Sequence, residues 1–252
     1  MSGLGDWTNN NIGCVAVAIA QILFYHRLKP QNSAVPGYAC TGEGRITDTR
    51  WISLAFGNTY SFELLPNSLD PFHLSKNEVI ADLQRNQLQH YLFDVARAIR
   101  KNFHKGYLGS SAQLIEWLKS HYGVVAAVYK FHADNSTEMA KAAKIITREV
   151  SLFRPVYLAV DRTNDAHGNP REGHAMVIDG FKSDAKGFWI TAKFHSYTPI
   201  EEHQFNGDWY KLEEPIGKLA GSSVPVDGNE RTLMTLRPPW HGPDPIILDP
   251  KP

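Results

Sequence analysis

Only two cysteines, Cys14 and Cys40, occur in 252 residues. Two cannot build the disulfide framework that staples small exported domains, so cysteine usage does not reveal the compartment. Charge of either sign is equally lacking in excess: 26 Lys and Arg balance 26 Asp and Glu. A nucleic-acid footprint needs a basic surplus or cluster. The densest basic run, RAIRKNFHK at 97–105, is broken by apolar residues at helical spacing and reads as a solvated helix face. No apolar run reaches the roughly 18–20 residues of a membrane span. The longest, Val15 to Tyr25, is interrupted by Gln21 and also lacks the charged leader and cleavage site of a signal peptide. There is no internal repeat and no low-complexity segment. What is left is a globular chain, 42% hydrophobic and 11% aromatic. It is long enough for one large domain or for two lobes that share a core.

The periodicity changes along the chain. Up to about residue 152 it reads as mostly helical. CVAVAIAQILFYHRL, from Cys14, is apolar nearly all round, which predicts a buried central helix stopping before Lys29-Pro30. QNSAVPGYACTGEGR is a loop by composition. NQLQHYLFDVARAIRKNF carries a stripe at Leu92, Val95, Ala96 and Ile99. GSSAQLIEWLKSHYG opens with Ser110 and Gln113 in capping-box spacing and closes on Gly123. STEMAKAAKIITREVSLF predicts a further helix. Beyond it, residues 154–161, 174–181 and 187–194 are β-branched and aromatic runs bounded by turn residues, and 209–212 and 231–236 resemble two more strands. The expectation is an α+β chain, a helical lobe over about 1–152 and an antiparallel, barrel-like sheet lobe over about 153–252 of one domain. A site belongs in the cleft between them.

Asn9, Asn10 and Asn11, good helix-capping residues, precede Cys14. A thiol in the first helical turn feels the positive end of the helix dipole, which favours the nucleophilic thiolate. A small buried apolar side chain would fit the same position, since cysteine is among the most buried residue types. A thiolate nucleophile also needs a proton acceptor, usually histidine. Of eleven histidines, His174 is the best placed. It follows the turn NPREG and opens the strand HAMVIDGF. His26, His104, His121 and His132 fall in or beside helices with no partner implied. No set of residues has the spacing of a metal site, and no cofactor is implied.

GCVAVAIAQILFYHRLKP followed by RPVYLAVDRTNDAHGNPREGHAMVIDGF resembles the streptopain family of papain-like cysteine peptidases. That family's helix reads Cys-Val-Ala-x-Ala-x-Ala-Gln-Ile-Met-x-Tyr-His; Cys14, Val15, Ala16, Ala18, Ala20, Gln21, Ile22, Tyr25 and His26 match in register. Its histidine strand, Gly-His-Ala-x-Val-Ile-Asp-Gly, is matched by Gly173 through Gly180. The resemblance extends over roughly 10–210. It implies a papain-like two-lobed fold in which Cys14 attacks a peptide carbonyl and His174 moves the proton. It also implies that the Cys14 N–H forms part of an oxyanion hole, and that Tyr107 and Gly173 contact the substrate. Further implications are a peptide or protein substrate, an inhibitory pro-segment or inhibitor protein as partner, and an exported, secreted or cell-surface, bacterial protein.

Two positions depart from the family pattern. The glutamine six residues before the cysteine, an oxyanion donor, is Thr8 here. The asparagine that orients the imidazole falls, depending on register, at Ala192 or Lys193, neither of which accepts a hydrogen bond from an imidazole N–H. One oxyanion donor is worth on the order of 3 kcal/mol. A catalytically impaired papain-like domain that binds peptide or protein is therefore the alternative expectation.

Overall fold

The computed structural model describes residues 14–26, 28, 50–52, 59–61, 91–92, 95–96, 99, 111–160, 174–193, 209–214 and 228–239. The apolar run opening at Cys14 forms helix α1, Cys14–Tyr25, in which Ala16 to Ala20, Ile22 and Leu23 are all buried. A helix with no polar face is stable only when other elements surround it. Part of that cover is the helical stretch containing Tyr91, Leu92, Val95, Ala96 and Ile99, every one of them buried. The hydroxyl of Tyr91 donates to the Ala20 carbonyl of α1 at 3.1 Å. Helix α2, Ser111–Tyr122, adds Leu114, Trp117, Leu118 and Tyr122, the stripe expected of a helix buried on one side. It ends where Gly123 turns to φ +67° and its N–H bonds the Lys119 carbonyl.

The strands form an antiparallel sheet of β3 (Val125–His132), β8 (Glu230–Arg237), β4 (Val156–Val160), β5 (His174–Asp184), β6 (Gly187–Lys193) and β7 (Trp209–Lys211), side by side in that order. A separate two-stranded hairpin joins β1 (Arg50–Ile52) to β2 (Thr59–Ser61). Strand alternation divides the core in two. Tyr157, Ala175, Val177, Met234 and Leu236 pack with α1, α2 and the 91–99 stretch. Val156, Leu158, Val160, Met176, Ile178 and Leu233 pack instead with Ala142 and Ile146 of helix α3, Ser136–Ser151. The α+β class expected from the sequence is thus observed. Strand β3, however, lies inside the stretch expected to be mostly helical. Its two consecutive alanines, Ala126 and Ala127, dilute the β-branched signal, although Gly123 and the Asp134-Asn135 turn bound it as a strand.

Two buried charges join these parts. Arg231 of β8 donates to the carbonyls of Leu212, Glu214 (3.0 Å) and Gly228 (3.4 Å). Leu212, just past β7 at one edge, also shares the core with Leu158 and Leu233 of the middle strands, so the sheet curls back on itself. Burial of Arg231 lowers its pKa to about 10, against the opposing pull of Glu213. Glu149, fully buried near the end of α3, accepts from Arg148 (2.6 Å), Arg154 (2.6 Å) and Arg237 (3.1 Å). It thereby ties α3 to the residues just before β4 and to the end of β8.

Burial works to raise the Glu149 pKa, but the hydrogen bonds from Arg154 and Arg148 and the charges of Arg154 and Arg237 prevail, holding it below its ordinary 4.5. A carboxylate so depressed contributes stability that is fully present above that ordinary value and is lost as pH falls through the native value. Glu149→Ala leaves a buried guanidinium uncompensated. It should cost about 3–5 kcal/mol in urea unfolding at neutral pH. Measured from pH 6 to 3, the wild type should lose part of that advantage and the variant should show a shallower decline.

Candidate active site

Cys14 is the first residue of α1, half-buried, and it packs against the cluster that contains Tyr157, Ala175 and Val177 of the sheet. The sequence folds this way locally because the run after Cys14 is mostly apolar, and Ala16 to Ala20, Ile22 and Leu23 are drawn under cover. The two ends of the helix remain nearer the surface, with Cys14 half-buried and Tyr25 exposed. There is no acidic side chain in the first turn of α1 to offset the positive end of its dipole.

His174 is the first residue of β5 and only 7% exposed, and it stands level with Val160, the last residue of β4. Helix α1 packs on β5 and β4. Ala175, directly after His174, and Cys14 therefore belong to one apolar cluster. The structure brings together the two elements that begin with the predicted nucleophile and the predicted base. Tyr107 and Gly173 lie outside the described residues, as do Thr8 to Asn11 before the helix.

The strand register bears on the position expected to orient the imidazole. Ala192 pairs with Ile178 and Lys193 with Val177, past which a bulge between Ile178 and Gly180 shifts the ladder. Both are therefore three or four residues along β5 from His174, about 10–13 Å at strand spacing. Neither is level with the histidine in this register. At the bulge the Thr191 hydroxyl donates to Asp179 at 2.6 Å, and a Cβ on Gly180 would come within 2.6 Å of the same hydroxyl. The glycine keeps β5 and β6 in close approach just beyond the site.

The other described histidines have local roles. The His121 ring approaches the Trp117 carbonyl (3.1 Å) and tilts against the Trp117 ring. His132 meets Glu138 through both its N–H and its Nδ1, at 2.7 and 3.0 Å. These bonds hold the Glu138 carboxyl below its usual range and fasten the start of α3 to β3. His26 is buried at the end of α1, edge-on to Tyr25. Among the described residues no group of three or more His, Cys, Asp or Glu side chains is arranged to hold a metal ion, and no helix is long and apolar enough to cross a membrane.

Comparison with known proteins matches residues 4–196 to the model of the peptidase C10 family. No curated protein matches the chain.

The arrangement predicts the reactivity of Cys14. In a Cys40→Ser background, iodoacetamide should alkylate Cys14 rapidly at about pH 5–6, well below the ordinary thiol value near 8.5. With His174→Ala added, the rate should fall and follow an ordinary thiol profile. Equal profiles for the two proteins would separate the pair.

Proposed function

The chain belongs to the peptidase C10, or streptopain, family, and from that premise we propose that it is a cysteine peptidase in which Cys14 is the nucleophile and His174 the general base. The observation that carries this reading is the placement of Cys14 at the first turn of a buried helix that packs on the strand opened by His174, within a family match covering most of the chain. On this reading the fold is papain-like, with the substrate cleft between a helical and a sheet lobe, and with Tyr107 and Gly173 lining it.

The thiolate of Cys14 attacks the scissile carbonyl carbon, and the carbonyl π electrons move to its oxygen. The Cys14 N–H supplies part of the stabilisation of that oxyanion, as preorganised donors do where charge develops. The tetrahedral species collapses as the C–N bond breaks, and imidazolium His174 gives its proton to the departing amine. The thioester that remains is attacked by water, whose proton passes to His174. The acid leaves with the thiolate restored. No cofactor takes part. Export from a bacterial cell, and control by a pro-segment or an inhibitor protein, complete the proposal by way of the family.

The Thr8 position favours a second reading, in which the domain binds peptides and hydrolyses them poorly or not at all. Turnover of a mixed fluorogenic peptide library separates the two. A peptidase should lose a thousandfold or more of its kcat/KM in Cys14→Ala, on the order of what removal of a nucleophile costs. His174→Ala should lose a similar amount, with no additional loss in the double variant. Absence of wild-type turnover, with peptide binding retained, would favour the binding domain.

A further inference from the structure

Phe153, in the turn between α3 and β4, is the described residue with a side chain other than glycine's at positive φ (+55°), and its ring is 79% exposed. Glycine or asparagine commonly takes this conformation after a helix, and a bulky residue held there is strained. The turn enforces it. The N–H groups of Leu152 and Arg154 bond the Glu149 carbonyl, that of Phe153 bonds the Val150 carbonyl, and the Arg154 side chain is clamped to Glu149. A rigid turn thus presents a large apolar ring to solvent at an energetic cost, the kind of outlier that points to use.

The surroundings give the character of the surface. Arg237, on Glu149 at 3.1 Å, pairs across the sheet with Val125, which is 63% exposed. Arg148, on the same carboxylate, is partly exposed, as is Arg237. Two exposed apolar side chains and two partly exposed guanidiniums, both engaged with Glu149, therefore occupy one end of the sheet. This end is opposite to His174: β4 runs about 13 Å from Val156, near the turn, to Val160, level with the histidine.

We propose that Phe153, with Val125, Arg148 and Arg237, forms an exosite that docks an acidic, apolar segment of a protein substrate. The inference rests on the peptidase reading and adds a substrate class to it. Charge complementarity selects an acidic segment, and the protruding ring supplies an apolar anchor of the kind that carries binding energy at interfaces. A chain held at the candidate site needs at least about four further extended residues, at roughly 3.3 Å each, to cover that distance. Proteins would benefit from the exosite and short peptides would not.

The test compares β-casein, an acidic and apolar protein, with a short fluorogenic pentapeptide. Phe153→Gly and Phe153→Asn, both suited to the backbone conformation, should keep or raise stability. Each should lower kcat/KM for β-casein about fivefold or more, chiefly through KM, and leave the pentapeptide unchanged. Added salt should narrow the wild-type preference for β-casein. Parallel changes for both substrates, or none, would overturn the exosite. If the wild type cleaves neither substrate, the peptidase reading fails separately, and binding of labelled β-casein to Cys14→Ala decides the exosite. A several-fold loss of that binding when Phe153→Gly is added upholds it, whereas equal or absent binding overturns it.

Discussion

Burial of most of α1 is the constraint from which the rest of the architecture follows. Ile19, Ile22 and Leu23 are fully buried, and each such side chain gains about 1.5–3 kcal/mol by leaving water. No single neighbour can cover a helix that is apolar all round. The sheet face bearing Tyr157, Ala175 and Val177 supplies one wall; α2 and the 91–99 stretch contribute to the same core. The helix cannot slide or rotate without exposing part of this surface. Its first residue, Cys14, is therefore held relative to β5, and so to His174 at the beginning of that strand. The chemistry proposed for the pair depends on packing carried mainly by the apolar side chains after Cys14.

Much of this was legible because burial leaves patterns in sequence. Apolarity nearly all round after Cys14 marked α1, and the stripe at Leu92, Val95, Ala96 and Ile99 marked residues that prove helical and buried. Cys14 and His174 could be singled out because each begins an element, one after cap residues and the other after a turn. Strand β3 escaped because Ala126 and Ala127 suit a helix as well as a strand, and its place in the sheet is decided by β8, more than ninety residues later. Register is harder to read: the bulge between Ile178 and Gly180 shifts the pairing of β5 with β6 without leaving a sign in composition. Tyr107 and Gly173 were reached through family alignment and lie outside the described residues.

The buried charges follow neither pattern. Arg231 and Glu149 would be read as surface residues on composition, yet both are sealed in the protein. Each is found where the chain must be joined to itself over a long separation. Arg231 binds the carbonyls of the turn after β7, and Glu149 collects arginines from α3, from the residue two before β4 and from the end of β8. An apolar residue can be buried in several orientations. A carboxylate shared by three guanidiniums tolerates few, because an imperfect arrangement strands a charge. Such groups add little net stability compared with an apolar replacement, but they penalise misassembly heavily.

That penalty matters most at β8. The last described strand in the chain is inserted between β3 and β4 in the sheet, so β4 has its neighbours β8 and β5 only once the C-terminal part has arrived. Strand β5, which begins with His174, pairs with β4 along its first five residues. The proposed nucleophile comes from the first described helix, while the strand that bears the proposed base is supported, through β4, by the last described strand. A site divided in this way cannot form from either half of the chain alone. Arg237 completes the link, since it ends β8 while bound to Glu149 of α3. The ion cluster thus fastens the strand on which the sheet's completion depends, and it does so at the end of β4 away from the histidine. There it can be rigid without obstructing the space that a substrate would occupy.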